Sequence, residues 1–135
     1  MNYWLVKSEP SVFSWEKFEK EGKAVWDGVR NYAARNNLRA MKKGDLVFFY
    51  HSNEGLDIVG IAKVTKESYQ DPTTEETAWL AVDIKPFKKL KKSVTLPQVK
   101  ADKILQHMDL VRLSRLSVGT VTKEQFDRVL ELAEM

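Results

Sequence analysis

Apolar and polar positions along this chain repeat at two spacings, one of two residues and one of three to four. NYWLVK alternates at the shorter spacing, which predicts a first strand with Trp4, Val6 and Ser8 on one side and Tyr3, Leu5 and Lys7 on the other. Ser-Glu-Pro breaks it. Ser14 is placed to cap a short helix, WEKFEKEG, that stops at Gly22. Ala34, Leu38 and Met41 recur at i, i+4 and i+7, which predicts a helix over Asn31 to Met41 with those three toward a core. Tyr32, Arg35, Asn36 and Arg39 then share its other face.

LVFFYHS is a strongly apolar strand, NEG a turn, and DIVGIAKVTKE a long strand interrupted by Gly60. The polar loop QDPTTEET leads into AWLAVDIKPF, a further strand. These three strands follow one another without a helix between them, so they are expected to be antiparallel. Beyond Lys92, Pro97 opens a short helix over QVKADKILQHM, and RLSRLSVGTVT is irregular or weakly extended. Thr122 with Gln125 forms a capping box for a last helix striped by Phe126, Val129, Leu130 and Ala133. With no repeat, low-complexity tract or linker, residues 1–135 read as a single domain. The economical fold is α+β: a small mixed, mostly antiparallel barrel or strongly curved sheet of five to six strands, flanked by three to four helices.

Composition narrows the function by exclusion. No apolar run approaches the about 20 residues of a membrane span, and no basic patch precedes an apolar stretch at the N-terminus. A cytoplasmic location is expected, or a nuclear one in a eukaryote, with no membrane partner. There is no cysteine, which removes disulfides, thiolate catalysis and cysteine-based zinc sites together. The net charge of +3 says little, but its distribution says more. KPFKKLKK holds five lysines in eight residues, and Arg30, Arg35, Arg39, Lys42 and Lys43 form a second basic group. A lysine run of this kind serves either as a solvated strand edge or as a contact for an anionic partner.

Catalytic patterns are missing. No Gly-rich phosphate loop, GxSxG elbow or HExxH pair occurs, and the chain has two histidines. His107 reads as a surface residue. His51, ending the FFYHS strand, has no partner that spacing alone supplies. We therefore expect no catalytic residue, no metal site and no cofactor. The contrary reading is a small-metabolite binder or enzyme that uses His51 with Asp27.

Recognition chemistry is concentrated instead in WDGVRNYAARNNLR, residues 26–39. Trp15 and Trp79 read as core, Trp15 closing one end of the barrel. Trp26 precedes an Asp-Gly turn, where a ring need not be covered on both faces. A base stacks on such a ring for about 1–3 kcal/mol. Asp27 and Asn31 suit contacts to base edges, while arginines hold phosphate or stack. Together these are the parts of a pocket for a flipped-out base.

WLVKSEP, VWDGVRNYAARNNLR, GDLVFFYHS and VGIAKV also carry a resemblance that covers essentially the whole chain: it resembles the EVE domain, of the PUA-like superfamily, similar in fold to YTH domains. The resemblance implies a PUA-like β-barrel with a pocket for a modified base. By position in the motifs it implies a base-binding set of Lys7, Ser8, Trp26, Asp27, Asn31, Tyr50, His51 and Ser52. NEGLDIVG lacks the second cage tryptophan of YTH domains, so a second stacking ring is expected from Tyr50 or Tyr32. Arg30, Arg35 and Arg39, with Lys88 and Lys89, are expected to hold backbone phosphate. The expected function is non-catalytic reading of a modified or flipped-out nucleobase, modified cytosine or adenine, with DNA favoured over RNA. The alternative is a PUA-like module for structured or modified RNA. A small anionic or nucleobase-like ligand is a further candidate occupant, and a monomer is expected.

Overall fold

The computed structural model describes residues 1–135. Six strands, β1 (Tyr3–Ser8), β2 (Ala24–Trp26), β3 (Leu46–His51), β4 (Asp57–Gln70), β5 (Leu80–Thr95) and β6 (Val118–Val121), form one sheet in the order β2-β5-β4-β3-β1-β6. Five helices accompany it: α1 (Trp15–Glu21), α2 (Tyr32–Ala40), α3 (Leu96–Ala101), α4 (Asp109–Arg112) and α5 (Lys123–Leu132), with a 3-10 turn at Leu105–His107. β1 and β3 pair in parallel, from Tyr3 opposite Leu46 to Ser8 opposite His51, and every other pairing is antiparallel.

The sheet is α+β and mixed, as the pattern predicts, but it does not close into a barrel. β2 and β6 lie at opposite ends of the strand order with no ladder between them. Helix α2 packs against β6, β4 and β5 and so covers the space where closure would occur. The helices number five rather than three to four. One added break falls at Asp102, whose Oδ1 accepts from the Ile104 and Leu105 backbone N–H groups and ends α3 before the 3-10 turn. The extended part of RLSRLSVGTVT is β6, antiparallel to β1.

Local signals set the other helix boundaries. Ser14 Oγ accepts from Lys17 N, and Gly22 ends α1 at φ +77°, a left-handed conformation that glycine adopts without strain. Asn31 caps α2 through Ala34 N, and Thr122 with Gln125 forms the predicted capping box on α5.

Both faces of the sheet are covered. Trp4, Val6, Val47 and Phe49 meet Trp15 and Phe18 of α1 and Ala34 and Leu38 of α2. Leu5, Phe48, Tyr50 and Ile58 meet Val99, Leu105, Met108, Phe126 and Val129 on the other side. Central strands buried on both faces have apolar residues at successive positions, which is why LVFFY shows no alternation. The buried Asp45 carboxylate ties the chain's start to this framework. It accepts from Trp4 Nε1 at 3.0 Å, Lys42 N at 3.0 Å and Asn2 N at 3.1 Å.

β4 bears one glycine that the packing requires. A Cβ at Gly60 would lie 2.5 Å from Cη2 of Trp15, a buried indole wedged among rings. Gly60→Ala is expected to lose about 1–3 kcal/mol through overpacking, read as a lower urea midpoint at unchanged slope.

Candidate nucleic-acid interface

A recess of about 890 Å³ opens where the β1–α1 loop, α1 and β2 meet. Ser8, Val12, Phe13, Trp26 and Asp27 line it, with Lys17, Glu21 and Lys23 and, from β4 and β5, Thr65 and Asp83. Trp26 ends β2 and is half-buried. It meets Phe49 at 5.7 Å and 78°, and Phe13 at 6.3 Å and 63°, so neither ring stacks parallel to the indole. Phe13 is held in turn by Ser8, whose Oγ donates to Phe13 O at 2.5 Å.

The polar lining of the recess is mixed, with the carboxylates of Glu21, Asp27 and Asp83, the ammonium groups of Lys17 and Lys23 and the hydroxyls of Ser8 and Thr65. Burial raises the Asp27 carboxyl above its ordinary value, helped by the charge of Asp71 and opposed by a backbone hydrogen bond and Arg30. Asp83 Oδ1 accepts from the Tyr69 hydroxyl, and burial together with that bond pushes the phenol up to about 12.

Of the residues expected to bind a base, the structure brings Ser8, Trp26 and Asp27 to the recess. The others lie around it or behind it. Tyr50 is 3% exposed and belongs to the core on the opposite face of the sheet, because Phe49 and His51 take the recess side and successive strand residues alternate. Tyr50 therefore cannot be the second stacking ring. Lys7, opposite Tyr50 in the ladder, donates Nζ to Ser114 O at 2.7 Å, and burial lowers its pKa. His51 Nε2 accepts from Trp15 N at 3.1 Å, fixing the start of α1. Burial lowers the His51 pKa, against the charges of Asp57 and Glu16, which suits the neutral acceptor form. Ser52 N donates to Ser8 O at 2.9 Å. Asn31 Oδ1 is engaged as the α2 cap, which leaves its NH2 group.

The arginines divide. Arg30 Nη1 donates to Asp71 Oδ2 at 2.9 Å, and Gly28 N donates to the same oxygen at 2.8 Å. Arg35 Nη1 donates to Ala78 O at 2.9 Å. Arg39 is exposed and makes no ion pair, and neither Glu16 nor Glu19 pairs with any of the three. Lys88 and Lys89 lie exposed on β5, which runs on through the lysine run to Thr95.

Sequence reasoning missed Phe13, Lys17, Thr65 and Asp83. Phe13 had a legible signal: it precedes the Ser14 cap and packs on Phe18 at 5.7 Å, the hydrophobic staple of α1. Trp79, expected in the core, is instead half-exposed just before β5.

Asp71 anchors the turn that carries Asp27. Burial alone would raise its carboxyl, but hydrogen bonds from Thr73, Arg30 and Gly28 prevail and hold it well below the usual range. The stability this contributes is fully present above the unfolded aspartate value of about 3.9 and is lost as pH falls through the lower folded value. Asp71→Asn is expected to lower the urea midpoint at pH 7 and to flatten its fall in acid. A midpoint with an unaltered acid limb would show that Asp71 is not the group responsible.

Comparison with known proteins places this geometry in a family. The model of the EVE domain matches residues 2–132. Mouse thymocyte nuclear protein 1 is 40% identical, over 98% of this chain and 74% of that protein. The crystal structure of protein Atu2648 from Agrobacterium tumefaciens matches with a TM-score of 0.98 at 48% identity, over 100% of this chain and 94% of the other. Human THYN1 protein, in a crystal structure in complex with 5-methylcytosine containing DNA, matches with a TM-score of 0.91 at 36% identity, over 100% and 99%. A YTH domain of Zygosaccharomyces rouxii, 15% identical with a TM-score of 0.61 over 98% and 86%, shares the fold. The open mixed sheet with its flanking helices is thus PUA-like, and the chain belongs to the EVE domain family.

Proposed function

We propose that this chain is a non-catalytic reader of a modified base flipped out of DNA, and that the base is held in the recess beside Trp26. The observation that carries the reading is the half-buried Trp26 ring, which lines an open recess and has no parallel aromatic partner. A flipped base supplies that partner. Asp27, and Asp83 through the oxygen that Tyr69 does not engage, offer acceptors to an exocyclic amino group, as on cytosine or adenine. The resemblance to human THYN1, captured with 5-methylcytosine containing DNA, supports DNA and a cytosine derivative.

Phosphate is met on the cationic side of the recess and around it. Lys17 and Lys23 line its cationic side, Arg39 projects from α2, and Lys88 and Lys89 extend the positive surface along β5. Contacts of this kind set register and affinity without reading sequence.

Fluorescence anisotropy with matched oligonucleotides carrying cytosine, 5-methylcytosine or thymine, and with an RNA competitor, tests the reading. Tightest binding is expected for 5-methylcytosine DNA. Trp26→Ala is expected to cost about 1–3 kcal/mol of binding, and Trp26→Phe less. Since the ring is half-buried, melting curves must confirm that each variant is folded at the assay temperature. A folded Trp26→Ala protein that binds as tightly as the unsubstituted one sinks the proposal, and preference for the RNA competitor would move it to RNA.

Lys88→Glu with Lys89→Glu is expected to weaken all sequences alike and to flatten the salt dependence, by about 0.9 in slope for each phosphate no longer neutralised. An unaltered slope would assign the lysine run to solvation of the strand edge.

A further inference from the structure

A second aromatic surface adjoins the turn that carries Asp27, and the recess makes no use of it. Tyr32, the first residue of α2, is 59% exposed, and its ring lies 4.9 Å from that of Trp79 at 32°. A guanidinium stands over each ring, Arg30 at 5.6 Å from Trp79 and Arg35 at 5.1 Å from Tyr32. The group is tied down from several sides. Arg30 bonds to Asp71 and Thr73, Arg35 to Ala78 O, and Trp79 Nε1 donates to Glu76 at 2.9 Å.

One exposed ring and one half-exposed ring, fixed in place by cations, belong to neither core cluster. They make a rigid apolar platform with positive charge around it, the combination that single-stranded nucleic-acid sites use. Its position favours the same partner as the recess. Arg30 follows Asp27 by three residues, a span of about 10 Å at full extension, against about 3.4 Å of axial rise per phosphate of one strand. Arg39 lies two turns along α2 from Tyr32, about 10 Å by helical rise, on the face that Tyr32 and Arg35 share. Glu75 and Glu76 occupy the loop before Trp79, so the phosphate side of the platform is the α2 side.

We propose that Tyr32 and Trp79 form a second stacking subsite, which receives an unmodified base near the flipped one while Arg35 and Arg39 meet its phosphates. The inference rests on base reading at Trp26. A protein partner fits less well, since the surface offers cations and flat rings and no apolar groove.

Two DNA ligands separate the subsite from the recess. Both carry 5-methylcytosine, one between ordinary nucleotides and one between abasic sites. Tyr32→Ala is expected to weaken the base-flanked ligand roughly 5- to 150-fold while leaving the abasic-flanked ligand unchanged. Tyr32→Phe should restore most of the loss, and Trp26→Ala should weaken both ligands. Tyr32 is exposed enough that its truncation leaves the fold intact, and Trp79→Leu provides an independent variant. Should Tyr32→Ala and Trp79→Leu both bind the base-flanked ligand as tightly as the unsubstituted protein, or weaken both ligands equally, the subsite is overturned and the recess is not. Failure of the unsubstituted protein to bind either ligand overturns both readings.

Discussion

The site is built outward from Phe49. This fully buried ring, on a central strand of the sheet, stacks on Phe18 at 5.3 Å and meets Trp15, Trp26, Phe13 and His51 between 5.4 and 6.2 Å. Those partners come from α1, β2, the β1–α1 loop and β3 itself. One side chain therefore sets the separation of three segments that have no backbone ladder with β3. Aromatic pairs contribute about 0.5–1.5 kcal/mol each beyond the area they bury, and the tilted geometry of most of these contacts is the one ring quadrupoles favour. The recess opens beside this cluster, with Phe13 and Trp26 in its wall.

Polar bonds complete what the rings begin. His51 fixes the first helical residue of α1, Ser8 fixes Phe13, and Asp71 fixes the turn after Trp26. The His51 and Asp71 bonds join segments far apart in the chain while the Ser8 bond is local, and each satisfies a group that would otherwise be partly or wholly buried without a partner. Several residues that resemble binding groups by motif thus hold the recess in shape from behind it. The charge is mixed in the recess, which Glu21, Asp27 and Asp83 line together with Lys17 and Lys23, and positive beyond it at Arg39 of α2 and at Lys88 and Lys89 of β5.

What could be read from the sequence was what local physics decides. Ser14, Gly22, the Ala34–Leu38–Met41 stripe and the Thr122–Gln125 box act within a turn or two of themselves, so their helices were legible. Trp26 and Asp27 were legible at the recess from the Asp-Gly turn beside them, and Ser8 from its motif. β2 was not, since Ala24–Trp26 is a strand only through its pairing with Val82–Ile84. The misplacement of Tyr50 has a similar origin. A strand apolar at every position does not say which residues face which core, and only its register with β1 decides. Arg30 and Asp71, separated by 41 positions, could be matched only by the fold. Closure of the sheet was equally out of reach, because it depends on where α2 comes to rest.

The bracing of Trp26 has a kinetic corollary. An indole held edge-on by two rings, themselves wedged in place, has little rotamer freedom to surrender when another flat molecule settles on it. Most of the ordering then falls on the incoming molecule. Occupants of similar charge would arrive at similar speeds and differ chiefly in how long they stay.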